Sequence, residues 1–167
     1  GPAVIVTAET FDFRRLARTQ VRRGDAVIEL GCSFGDATKV LAEQAGPSRV
    51  VGVDLSSSSL EKARALCPAT RFEQLDVLAC SEEETAARLL FLASCVRPAQ
   101  EGEADNLHDV IVFVDIGGNR LLRDLMRLLQ RLFDTPALRP AQVIVKSREL
   151  FVALEKDRAA AGARTGS

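Results

Sequence analysis

The sequence has no tryptophan and no tyrosine, a single histidine, His108, and four cysteines, none of them in a CxxC pair. Base stacking against nucleic acid would therefore depend on the eight phenylalanines. Zinc sites need Cys and His at short, fixed spacings, so we predict no metal site. The cysteines all lie in apolar contexts, which is typical of buried free thiols in a reducing compartment. We therefore expect an intracellular protein, in the cytoplasm or an organelle, with any targeting segment outside this sequence.

No run of residues approaches the roughly 18 consecutive apolar residues that span a bilayer. No charged-then-apolar signal peptide opens the chain. The formal net charge is −1, so no global field attracts the protein to nucleic acid. With 167 residues, 47 % of them hydrophobic, the chain is long enough to bury a core. We predict one domain over residues 1–167, with 1–2 a protease-cleavage scar and 159–167 a frayed tail.

Short runs rich in Val and Ile alternate along the chain with segments of helical periodicity. The predicted strands are 26–30, 49–53, 71–75, 109–115 and 141–146. The predicted helices are 35–45, 56–66, 82–96 with Ser81 as N-cap, and a leucine-rich helix (Leu121, Leu122, Leu125, Leu128, Leu129, Leu132) capped by Asn119. Nearly continuous apolar strands favour a parallel sheet that is covered on both faces. The pattern predicts a doubly wound, mostly parallel α/β sheet, whose ligands bind beyond the carboxyl ends of its strands.

A glycine-containing turn, in the segment VIELGCSFGDAT at 27–38, follows the first of these strands. Small residues let backbone N–H groups approach a ligand there. The dinucleotide spacing GxGxxG is absent, because Gly31 and Gly35 are four residues apart. The stretch instead resembles motif I of the class I S-adenosylmethionine (SAM) dependent methyltransferases, acid-x-Gly-x-Gly-x-Gly, with Glu29 as the acid. Ser33 replaces the middle glycine, which is sterically acceptable as long as its φ is not positive.

Two further acids extend the resemblance, which covers about residues 24–147. Asp54 ends VVGVD, where family members bind both ribose hydroxyls, and Asp76 follows FEQL, where the family places an acid against the adenine amino group. The resemblance implies SAM as cofactor and S-adenosylhomocysteine as product. The candidate cofactor-binding residues are Glu29, Gly31, Cys32, Ser33, Phe34, Gly35, Asp54, Leu55, Asp76, Val77 and Asp115. The alternative is a Rossmann-like domain without a working cofactor site.

Asp115 and Lys146 are the candidate catalytic residues, since they end the fourth and fifth predicted strands. Their placement resembles the ribose 2′-O-methyltransferases, whose Lys-Asp-Lys-Glu tetrad has its acid and second lysine on these strands. A desolvated lysine there could take the proton of an acceptor hydroxyl. The first lysine has no convincing counterpart, so Arg14 or Arg15 would have to serve, and Glu149 or Glu155 would have to supply the last acid. A solvated lysine at a strand end is the commoner situation.

Five arginines precede the first of these strands and could contact phosphates: Arg14, Arg15, Arg18, Arg22 and Arg23. A solvated basic face is the alternative interpretation. Together with Asp115 and Lys146 they favour RNA slightly as the acceptor. A small-molecule methyltransferase and a non-catalytic binding module of the same fold remain the other hypotheses.

The usual C-terminal strand pair of the family is missing, because FVALEKDRAAA after Lys146 has helical character. The strand at 141–146 would then leave an open apolar edge, which proteins usually cover. The β-like run AVIVT at 3–7 is the only unassigned candidate. We predict that it adds a strand to the sheet, within a monomer or by exchange in a dimer.

Overall fold

The structure is a computed structural model that describes residues 2–78, 81–98, 109–117 and 121–166. The strands are β1 Ala3–Thr7, β2 Ala26–Leu30, β3 Val50–Asp54, β4 Arg71–Gln74, β5 Val110–Val114 and β6 Pro140–Lys146. The helices are α1 Thr10–Gln20, α2 Asp36–Ala45, α3 Ser57–Leu66, α4 Glu82–Val96, α5 Leu122–Phe133 and α6 Arg148–Thr165. Short 3₁₀ turns at Pro47–Arg49 and Pro136–Leu138 precede β3 and β6.

The strands form one sheet in the order β1-β6-β5-β2-β3-β4, and all its pairings are parallel. β2 and β5 are buried at every residue, which accounts for their nearly continuous apolar sequences. Each of the five predicted runs forms one of the strands β2 to β6, so the predicted doubly wound α/β fold is confirmed. Because the strands are parallel, the loops that follow them all lie at the same end of the sheet, beyond the carboxyl ends of the strands.

The N-terminal run forms the added strand. β1 lies beside β6 in the same chain, with Ile5 opposite Ile144 and Thr7 opposite Lys146. The chain continues after Lys146 into α6, as its helical character predicts. This helix extends through Thr165, beyond residue 159 where we expected a frayed tail, because alanine-rich sequence favours a helix.

Helix termini follow the capping signals where the structure describes them. The Ser81 hydroxyl accepts the Glu84 N–H, so the predicted N-cap of α4 is confirmed. The predicted cap Asn119 lies outside the described residues, as do His108 and Cys80. Leu121 is wrongly placed on the apolar face by the sequence pattern: it precedes α5 and is 57 % exposed. The buried leucines of α5 are Leu125, Leu128, Leu129 and Leu132.

The core occupies both faces of the sheet. On one face the leucines of α4 and α5 pack against valines of β5 and β6. On the other face α1 and α2 pack on the sheet, and the rings of Phe13 and Phe113 meet edge-on with centroids 5.4 Å apart. Cys32, Cys67 and Cys95 are free thiols, of which the first two are buried and the third is half-buried. No helix among the described residues is both long and apolar enough to cross a membrane.

Candidate functional site

The β2–α2 loop is tied to the strands on both sides of β2. The N–H groups of Gly31 and Cys32 donate to the carbonyl of Val53, and the N–H of Asp115 donates to the carbonyl of Leu30. Gly31 has φ +86°, and a Cβ there would lie 1.9 Å from the carbonyl oxygen of Asp115. Glycine is therefore required at this position by the close approach of the β5 backbone.

Ser33 adopts a positive φ of 48°, so our condition that this serine avoid the left-handed region is wrong. In this conformation the loop contacts Asp54, 21 residues away in sequence. The Ser33 N–H donates to Oδ2 of Asp54 at 2.9 Å, and the Ser56 N–H donates to Oδ1 at 3.0 Å. A carboxylate that accepts two backbone N–H groups joins the loops after β2 and β3.

Glu29 lies behind this loop, inside the sheet. Its side chain is buried and accepts a hydrogen bond from the Thr38 hydroxyl of α2. Burial raises the pKa of Glu29 to about 8, and the nearby charges of Asp115 and Asp54 add to the increase. The side chain is thus a link between β2 and α2 rather than part of a cavity wall.

Three other residues of the motif also shape the loop. Cys32 is buried, which raises the pKa of its thiol. Gly35, with φ +90°, precedes α2 where a Cβ would lie 3.1 Å from Cα of Ala63 in α3. Phe34 is 47 % exposed, with the Lys62 ammonium 4.5 Å from its ring centroid.

A cavity of about 440 Å³ opens at the carboxyl ends of β2, β3, β4 and β5. The predicted cofactor-binding residues that line it are Gly31, Ser33, Asp54, Leu55, Asp76, Val77 and Asp115. We call it the cofactor cavity. Its described lining residues include three carboxylates and no lysine or arginine. Such a wall suits a cationic ligand and disfavours a phosphate-bearing one.

A second cavity, of about 480 Å³, adjoins the first and shares Asp115 and Ile116 with it. We call it the acceptor cavity, after the acceptor side of the reaction, to which the sequence assigns Asp115 and Lys146. Lys146 at the end of β6 lies there, with its Nζ 3.4 Å from Oδ2 of Asp115. The structure thus brings together the two residues that the sequence predicts to be catalytic.

Sequence reasoning missed most of the acceptor cavity. Leu121, Leu122 and Leu125 form an apolar wall. The lining also contains Glu9, after β1, and Arg148, at the start of α6, whose side chains form an ion pair. Two sequence predictions did point to this cavity: Glu149, one of the two residues offered as the last acid, lines it, whereas Glu155 does not, and the predicted addition of β1 to the sheet brings the β1–α1 connection to these strand ends.

The N-terminal arginines line neither cavity. Arg14 pairs with Asp36 at 3.9 Å and Arg15 with Asp12 at 3.5 Å. Arg22 and Arg23 follow α1 just before β2 begins, so they lie near the amino ends of the strands, whereas the cavities lie at the carboxyl ends. The five arginines are therefore not a single basic rim around the site.

Residues 27–114 match a protein family described as "Methyltransferase domain". A trans-aconitate 2-methyltransferase of Paracidovorax citrulli is 35 % identical over 79 residues, covering 47 % of this chain and 30 % of that protein. A demethylmenaquinone methyltransferase of Symbiobacterium thermophilum is 36 % identical over 64 residues, covering 38 % and 26 %. The matched stretch is thus less than a third of either relative's length.

Solved structures share the fold. A precorrin 8w decarboxylase of Methanobacterium thermoautotrophicum superposes with a TM-score of 0.56 at 17 % identity, covering 92 % of this chain and 73 % of that one. A TehB-like SAM-dependent methyltransferase of Corynebacterium glutamicum gives a TM-score of 0.51 at 19 % identity, covering 82 % and 62 %. Every described residue of the acceptor cavity lies outside residues 27–114. The family match therefore covers the cofactor side of the site alone.

Proposed function

The chain belongs to the class I SAM-dependent methyltransferase family, and from that premise we propose that it transfers a methyl group from SAM to a small-molecule acceptor. The observation that carries the proposal is the pair of adjoining cavities with Asp115 and Ile116 as their common wall. A cofactor in one cavity and an acceptor in the other would meet at that wall. Holding the two reactants in line is the main catalytic task in such a displacement.

The hydrogen-bonding groups and the charge of the cofactor cavity suit SAM. The carboxylate of Asp54 keeps lone pairs free after accepting two N–H groups, so it can bind the ribose hydroxyls. We assign the adenine amino group to Asp76, whose Oδ1 also accepts the Leu78 N–H and which lines the cavity beside Leu55 and Val77. Gly31 lets the backbone come close to the ligand. When bound, SAM supplies a methyl carbon on a positively charged sulfur, and Asp115 adds negative charge to the wall facing it.

On the acceptor side, Asp115 and Lys146 act as a pair. The Lys146 amine donates to Oδ2 of Asp115 and holds the carboxylate at the common wall. Oδ1 of Asp115 has no hydrogen-bond partner among the described residues, so it can accept the N–H or O–H of the nucleophile and receive its proton. Lys146 is then a positioning residue for Asp115.

Three observations support a small molecule over RNA. The acceptor cavity, at about 480 Å³, has the size of a small-molecule site. Arg22 and Arg23 lie away from it. The relatives are named for trans-aconitate and demethylmenaquinone.

The described cations of this cavity, Lys146 and Arg148, both already pair with carboxylates. An acceptor with several carboxylates would therefore have to break those ion pairs.

A transfer assay tests the proposal. The purified protein is incubated with methyl-labelled SAM and, in separate reactions, with a metabolite extract or total RNA. We expect label in the small-molecule fraction, dependent on Asp115 and unaffected by the Arg22→Ala/Arg23→Ala double variant. Label in RNA, reduced by that double variant, would contradict the small-molecule assignment. Binding of SAM without transfer in any fraction would favour the non-catalytic binding module.

A further inference from the structure

Ser33 occupies a backbone conformation that a glycine would adopt at lower cost. Its φ of 48° lies in the left-handed region, which only Arg139, at 51°, shares among the described non-glycine residues. A Cβ atom in this region comes close to the following carbonyl, which costs free energy. Gly31 and Gly35, on either side in the same loop, take positive φ without that cost.

The hydrogen bond to Asp54 is made by the backbone N–H, so it does not account for a serine rather than a glycine at this position. The Ser33 N–H points at Oδ2 of Asp54, 2.9 Å away, in the same loop conformation that has the positive φ. A glycine would donate the same backbone hydrogen bond. What serine adds is therefore its side chain alone.

Ser33 lies at the wall of the cofactor cavity. Ser33 is exposed and lines the cavity together with Asp54 and Ser56. In the part of the chain that the structure describes, its hydroxyl makes no hydrogen bond, whereas the Ser56 hydroxyl accepts the Ser59 N–H. A hydroxyl can donate and accept at once, which matches a sugar hydroxyl.

We propose that the Ser33 hydroxyl hydrogen-bonds the ribose of the bound cofactor, next to Asp54. This inference rests on the proposed function, since it requires SAM in the cofactor cavity. A ribose hydroxyl that donates its proton to Asp54 can accept a hydrogen bond that the Ser33 hydroxyl donates. The contact stabilises the bound state and offsets the conformational cost that the serine imposes on the loop.

The test compares two nucleosides that share a ribose but differ at the amino-acid end. S-adenosylhomocysteine carries the amino acid, and 5′-methylthioadenosine lacks it. Both are titrated into the parent protein, Ser33→Ala, Ser33→Gly and the control Ser94→Ala, whose serine lies on the exposed face of α4. Ser33→Ala removes the hydroxyl and keeps the strained backbone, whereas Ser33→Gly removes both.

We expect both Ser33 variants to bind both nucleosides about threefold to tenfold more weakly than the parent, the range for one neutral hydrogen bond. Ser94→Ala should match the parent, and Ser33→Gly should melt at no lower temperature than Ser33→Ala. Parent-like affinity in Ser33→Ala would overturn the proposal. A loss confined to S-adenosylhomocysteine would also overturn it, by placing the contact at the amino-acid end. If the parent binds neither nucleoside, the proposed function itself fails.

Discussion

The ammonium of Lys146 lies 3.4 Å from Oδ2 of Asp115, at the wall that the cofactor and acceptor cavities share. The two residues are 31 positions apart in sequence: Asp115 follows β5, and Lys146 ends the neighbouring parallel strand β6. The pair is partly buried, with side-chain exposures of 27 % and 34 %. Lys146 lines the acceptor cavity and not the cofactor cavity, so it can orient the Asp115 carboxylate without itself contacting the cofactor.

Lys146→Ala should therefore lower turnover without weakening cofactor binding. We expect kcat with the acceptor found by the transfer assay to fall about 100-fold, the low end for a mispositioned acid–base group. The Kd for SAM should stay within about twofold. The matched control is Lys156→Ala on the exposed surface of α6, which should behave as the parent. Full turnover in Lys146→Ala would make Lys146 an ordinary solvated lysine.

Gly31→Ala should destabilise the fold itself. The new Cβ would lie 1.9 Å from the Asp115 carbonyl oxygen, a backbone atom that cannot rotate away. We expect the free energy of unfolding to fall by about 3 kcal/mol or more, measured by urea denaturation.

Gly162→Ala is the control for this prediction. Gly162 lies in α6, where a Cβ meets nothing within 4 Å. Alanine there should raise stability by about 0.5–1 kcal/mol. Equal stability of the two variants would mean that β2 and β5 do not approach as closely as the structure has them.

Glu29 should make stability depend on pH. Its pKa is about 8 in the folded protein and 4.5 in the free side chain, mainly because of burial. The folded state therefore keeps a proton that the unfolded chain releases. The contribution of this group to stability is complete below about pH 4.5 and declines as the pH rises to about 8.

Glu29→Gln should remove that decline, because the amide cannot ionise and its oxygen still accepts from Thr38. In the parent protein we expect this group to lower the free energy of unfolding by up to about 1.4 kcal/mol per pH unit between pH 5 and 8, and the variant should lose this dependence. Urea denaturation across this range measures it, with Glu43→Gln on the exposed side of α2 as control. An unchanged slope in Glu29→Gln would mean that Glu29 is ionised in the core.

Ile5→Asp should destabilise the sheet edge. Ile5 lies opposite Ile144 and packs against the buried cluster that includes Phe113 and Ile144. We expect a loss of about 2–3 kcal/mol and a greater tendency to aggregate, because β6 loses its cover. Val4→Asp, at a position 44 % exposed, should cost less than about 1 kcal/mol. Equal costs would indicate that β1 is not docked on β6.

Sequence patterns predicted the strands, one helix start and the added strand, because residues close together in the chain determine most of these features. The apolar runs located the strands, the cap at Ser81 located a helix start, and the open edge of β6 predicted the added strand. The positive φ of Ser33 could not be predicted from local sequence, because the loop also contacts Asp54, 21 residues further along the chain. The Glu9–Arg148 ion pair joins residues 139 positions apart, and no periodicity encodes such a contact.

The central claim is that the cofactor cavity binds SAM, and isothermal titration calorimetry tests it most directly. SAM and S-adenosylhomocysteine are titrated into the parent protein and into the variants Asp54→Asn and Asp25→Asn. Asp25→Asn is the control, because the Asp25 carboxylate also accepts a backbone N–H but lies just before β2, at the end of the strands away from the cavity. We predict one-to-one binding by the parent, unchanged affinity in Asp25→Asn, and a loss of about 1.5–3 kcal/mol in Asp54→Asn. Absence of binding by the parent, or equal affinity in Asp54→Asn, would contradict the account.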